Sequence, residues 1–131
     1  MITIPELAAK SLETFLGDFM RSRFGSSPAL AQIVPSAARL ALECIGNSDA
    51  LYHNVEHTLL VTLAGHDIFR GRALHTQLTA DDYAHVIIAC LTHDIAYVRG
   101  LLADDAAAGY VVDADATKVS LPRGAYSATL V

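Results

Sequence analysis

Six apolar residues in a row, Val86-Ile87-Ile88-Ala89-Cys90-Leu91, run into Thr92-His93-Asp94. An imidazole beside a carboxylate at the end of so apolar a run needs a partner or an ion. Polar groups left unpaired in an apolar setting cost several kcal/mol. Earlier in the chain stands a second polar cluster, Tyr52-His53-Asn54-Val55-Glu56-His57. The simplest fold that satisfies both clusters sets them face to face across a helical hairpin.

The hydrophobic pattern supplies the helices. A first is expected over about 5–24, with Pro5 in its first turn and Ala8, Leu12, Phe15, Leu16, Phe19 and Met20 on one stripe. Gly25-Ser26-Ser27 ends it. A second region over about 28–45 is apolar nearly all round, as suits a central helix. Pro35 is expected to divide it, because proline cannot donate to the preceding turn. A third helix is expected over about 54–70, stopped by Gly71, and a fourth from Thr79 to about 94. Thr79 is its N-cap, and Asp81 and Asp82 lie near the positive end of its dipole. Beyond Gly100 the pattern turns irregular. Tyr110-Val111-Val112 and Thr117 to Leu121 suggest a small β-hairpin around Asp113-Ala114-Asp115-Ala116. The expected fold is all-α: a bundle of four to five helices with an irregular C-terminal segment, in a single domain over 1–131.

A short polar connection, Arg72 to Leu78, makes the third and fourth helices antiparallel neighbours. His57 lies 14 residues before Gly71, and His93 lies 14 residues after Thr79. At about 1.5 Å per residue both histidines stand roughly 21 Å from the connected end. His57, His93 and Asp94 are thereby brought to one level. His53, four residues before His57, faces the same way if the turn is already helical. Histidines with a carboxylate suit Zn²⁺, Mn²⁺, Fe or Co²⁺ better than Ca²⁺. Asp94 is also placed to bridge two ions, the arrangement that suits phosphoester hydrolysis. His66, His75 and His85 are expected to be ordinary core or surface histidines. His85, two turns before His93, is the strongest of the three as an additional ligand.

Composition excludes several classes. With 53% apolar and 18% charged residues the chain can bury a core. Its net charge is −5, and no basic stripe is present, so nucleic acid is not an expected partner. A small phosphorylated molecule would have to be attracted by a metal. Cys44 and Cys90 sit in apolar helical patterns with no CxxC, which suits buried thiols in a reducing compartment. No signal-like N-terminus and no apolar run near the ~18 residues of a membrane span is present, so a cytoplasmic location is expected.

The motif Tyr52-His53-Asn54-x-x-His57, followed by an apolar helix and then His93-Asp94, resembles the HD-domain superfamily of metal-dependent phosphohydrolases, closest to its cyclic-nucleotide phosphodiesterase-like form. The resemblance covers about residues 50–100. It implies that His57, His93 and Asp94 are metal ligands, with Asp94 able to bridge two ions. It implies that His53 is the general acid that protonates the leaving oxygen, a role that suits an imidazole near neutral pH. A neighbouring acid, Glu56 or one distant in sequence, is then needed to hold that proton. Asn54 is an N-cap or an orienting partner. The implied cofactor is a divalent transition metal (Mn, Fe, Co, Zn or Ni), with Mg²⁺ as the ion of a second site.

One feature of the family is missing. A later helix should bring a further aspartate, yet Asp104, Asp105, Asp113 and Asp115 lie in no helical pattern. The chain is expected to stop before the closing helices, leaving three protein ligands and a partly bare core that favours a homodimer. The leading expectation is a hydrolase of phosphomonoesters or phosphodiesters, a nucleotide among them. The alternative is an inactive or truncated HD-like helical domain serving binding or oligomerisation. A di-iron oxygenase on a similar scaffold is chemically conceivable with these ligands.

Overall fold

The computed structural model describes residues 1–48 and 50–98, together with the backbone of Tyr110–Val111 and Lys118–Val119. Four helices follow in order: α1 (Ile4–Arg23), α2 (Pro28–Ile45), α3 (Val55–Arg72) and α4 (Ala80–Thr92), then a 3₁₀ turn, Ile95–Tyr97. Two short strands, β1 (Tyr110–Val111) and β2 (Lys118–Val119), pair antiparallel with Tyr110 opposite Val119. The all-α architecture and the small strand pair are as expected. Asp104, Asp105, Asp113 and Asp115 lie outside the described residues.

Side chains written into the sequence fix the helix starts. Thr3 and Glu6 close a capping box at α1, and Thr79 and Asp82 close another at α4. At α3, Asn54 Oδ1 accepts from the His57 N–H at 2.9 Å. Asn54 is thus the N-cap, and it anchors the turn that carries His57.

The core gathers Leu12, Leu16 and Met20 of α1, Val34, Ala38 and Leu42 of α2, and Tyr83, Ile87 and Leu91 of α4, all buried. Helix α2 touches each of the other three helices and the 3₁₀ turn, as its all-round apolarity suggests. It is not divided at Pro35. The proline lies within one continuous helix and is buried against α1, where a Cβ at Gly17 would come within 3.3 Å of its Cγ. Packing of an apolar face contributes more to a helix than one backbone hydrogen bond, so the missing donor does not break α2.

Helices α3 and α4 form the expected hairpin. They approach closely where Gly65 meets Cys90: a Cβ at residue 65 would stand 2.6 Å from the Cys90 Sγ. A side chain there would require Cys90 or the helices to shift. Buried nearby, His66 is hydrogen-bonded through Nδ1 to the Tyr83 hydroxyl at 2.8 Å and packs edge-on against Phe19. It is a core histidine. His85 is exposed and makes none of the contacts of the site below.

Candidate metal centre

The open end of the α3–α4 hairpin brings His53, His57, His93 and Asp94 together. Each arrives by a different device. His57 is in the first turn of α3, fixed by the Asn54 cap. His53 lies in the loop before it. His93 is the C-cap of α4, and Asp94 leads into the 3₁₀ turn.

Asp94 is buried, and its Oδ2 is the hub. It lies 2.9 Å from His53 Nδ1, 3.1 Å from His57 Nε2 and 2.9 Å from His93 Nε2. His57 Nε2 and His93 Nε2 are 3.3 Å apart. Two overlapping triads share His57 and Asp94. The ligating atoms of His53, His57 and Asp94 all lie within 4.8 Å of one another. In the triad of His57, His93 and Asp94 no edge exceeds 3.3 Å. Ligands roughly 2.1 Å from an ion stand about 3.0 Å apart in an octahedron and about 3.4 Å apart in a tetrahedron. The second triad has those edges.

Hydrogen bonding decides what the triad needs. His93 Nδ1 lies 2.6 Å from the Cys90 carbonyl oxygen. A carbonyl only accepts, so Nδ1 carries the proton, and Nε2 of the neutral ring presents a lone pair. That lone pair faces a carboxylate oxygen at 2.9 Å and a second imidazole nitrogen at 3.3 Å. Acceptors so close need a proton or a cation between them. A proton relieves one such contact, whereas a divalent ion takes all three lone pairs at once. A backbone carbonyl holding the far nitrogen of a histidine is also the usual support of a metal ligand. The donor set therefore fits a divalent transition metal.

Around the centre stands an aromatic frame, of which the sequence motif includes Tyr52 but not Tyr97. The Tyr97 ring stacks flat on His53, with centroids 4.3 Å apart and planes within 4°. Tyr52 packs on His57 at 4.5 Å and edge-on to His53 at 5.2 Å. The one available signal for Tyr97 is an aromatic residue three positions after the His-Asp doublet. The carboxylate beside His53 is that of Asp94, distant in sequence. Glu56 is exposed in the first turn of α3.

A family model described as Npun_R2479-like matches residues 6–131, nearly the whole chain. The chain belongs to the Npun_R2479-like family. No curated protein and no solved structure matches it. In this Npun_R2479-like chain no helix among the described residues is long and apolar enough to cross a membrane.

Proposed function

We propose that this chain is a metal-dependent phosphohydrolase related to the HD-domain superfamily, acting on a small phosphomonoester or phosphodiester. One observation carries the reading. His57 Nε2, His93 Nε2 and Asp94 Oδ2 lie within 3.3 Å of one another, and His93 Nδ1 is held by the Cys90 carbonyl.

In this reading His57, His93 and Asp94 would hold the ion, and Asp94 would also serve a second one such as Mg²⁺. The bound ion supplies Lewis acidity and an acidified water at neutral pH. His53 serves the leaving group. Its Nδ1–H donates to Asp94 Oδ2, which orients the ring, and Tyr97 fixes the ring plane. As a water oxygen adds to phosphorus and its proton passes to solvent, the bond to the leaving oxygen breaks. His53 passes its Nε2 proton to that oxygen and remains as the Nδ1–H tautomer, still bonded to Asp94.

The test is turnover of p-nitrophenyl phosphate and bis-p-nitrophenyl phosphate by protein loaded with Mn²⁺, Co²⁺ or Fe²⁺. Turnover should require the metal and disappear in Asp94→Ala. Absent or metal-independent turnover overturns the reading.

A second reading is a helical association domain that has lost catalysis. Leu60 and Ile68 favour it, since both are exposed on α3, eight positions apart. A second copy of the chain is the simplest partner. Stoichiometric metal in protein purified without added ions counts against this reading.

A further inference from the structure

A second cleft lies at the opposite end of α3 from the metal centre. It is a cavity of about 510 Å³ between the last turn of α1 and the last turn of α3 with the chain that follows. Phe19 and Phe69 line it together with Ser22, Arg23, Arg70 and Leu74. Both rings belong to a fixed aromatic cluster: Phe19 packs on Tyr83 at 4.7 Å and Phe69 at 5.0 Å. The cleft thus has a rigid apolar wall and two guanidinium groups.

The charge there is unusual for this chain, whose net charge is −5. No carboxylate lines the cleft, and neither Arg23 nor Arg70 has an acidic partner among the described residues. Arg21, next in the same turn, is by contrast paired with Asp18. Arg23 lies over the Phe24 ring at 5.9 Å. Arginines in a last turn do complement the helix dipole. Two helix ends, however, supply only about one negative charge together, and the two guanidinium groups exceed that by about one unit. Burial against Phe19 holds the His66 pKa below its ordinary value, Asp67 opposes this, and Arg70 pushes the same way as burial, so the Arg70 charge is felt at the wall of the cleft.

We infer that this cleft binds a small organic anion, a phosphate or carboxylate carried on a flat apolar body, with Arg23 and Arg70 on the anion and Phe19 and Phe69 against the body. Guanidinium groups recognise both anions through paired N–H donors. The volume suits a ligand of nucleotide size. The site is independent of the metal centre and of the reaction proposed there.

The full chain, kept in EDTA so that the metal centre holds no ion, is titrated with 5′-AMP, indole-3-carboxylate, adenosine and inorganic phosphate while amide resonances are followed by NMR. Saturable shifts at Ser22, Phe69, Gly71 and Leu74 are expected for at least one of the two organic anions, and the tighter of the two identifies the preferred headgroup. Adenosine and phosphate alone should bind at least tenfold more weakly. The exposed double variant Arg23→Gln/Arg70→Gln should lose at least tenfold in affinity, and Asp94→Ala should lose none. The inference is overturned if neither organic anion saturates, if the double variant binds as well as the unaltered chain, if bare phosphate binds as tightly as 5′-AMP, or if Asp94→Ala abolishes binding.

Discussion

His93 is turned toward Asp94 by the main chain of Cys90. Its Nδ1 donates to the Cys90 carbonyl at 2.6 Å, and its Nε2 consequently faces Asp94 Oδ2 at 2.9 Å. The last turn of α4 therefore selects the tautomer that a metal ligand requires. Isothermal titration with Co²⁺ or Mn²⁺ is expected to show binding by the unaltered chain. Asp94→Ala and His93→Ala should each weaken it by roughly a hundredfold or more, beyond the 10–100-fold typical of residues that only support a ligand. Binding that survives both substitutions would place the ion elsewhere.

Asn54 joins stability to the site. Its side chain caps α3 on the N–H of His57 itself. Asn54→Ala should lower stability by about 1 kcal/mol in urea denaturation, and it should weaken metal binding as the first turn frays. Asn54→Asp keeps the capping oxygen and should retain the stability. Equal loss in both variants would show that the cap is not the cause.

Gly65 is the tightest point of the hairpin that carries the site. A methyl group there would meet the Cys90 Sγ at 2.6 Å, so something must shift. Gly65→Ala should cost about 1–3 kcal/mol, as overpacking does. Cys90→Ala removes the obstructing sulfur. The double variant should therefore recover part of that loss, giving a coupling of roughly 0.5 kcal/mol or more in a double-mutant cycle. Strict additivity would contradict the contact.

His66 predicts an acid-sensitive core. Burial is the main cause that holds its pKa below the ordinary value of 6.5, with Arg70 adding to it and Asp67 opposing. The unfolded chain then takes up the proton more readily than the folded one. The stabilising contribution is present above pH 6.5 and is lost as pH falls below it through the lowered folded value. His66→Gln does not titrate and offers a polar group to the Tyr83 hydroxyl. Chemical denaturation from pH 7.5 to 5 should show the unaltered chain losing more stability than His66→Gln, and parallel curves would refute this. All other groups are common to both proteins, so their contributions cancel in the comparison.

Much of this arrangement was legible in the sequence. Residue counts from Gly71 and Thr79 bring His57 level with His93, and the hairpin meets that expectation because its two arms have equal length. Capping signals at Thr79 and Asn54 mark real helix starts. Pro35 misleads because a local rule about one missing donor ignores the packing of α2 on α1. The stacking of Tyr97 on His53 was not legible. It depends on a 3₁₀ turn after Asp94 that re-aims three residues, and no periodicity announces such a turn. The convergence of both cluster halves on a single carboxylate oxygen was equally hidden, since spacing fixes levels along a helix but not which atom points inward.

The Gly65–Cys90 contact also sets a lever. It lies eight residues from His57 along α3, or about 12 Å. A rotation of about 10° at that crossing would swing the His57 end by about 2 Å on that arm, comparable to the bond between an imidazole nitrogen and a metal ion. A glycine with no side chain to spread the two arms thus acts as the fulcrum of the hairpin. The fineness of its fit sets the bite of the four residues at the far end.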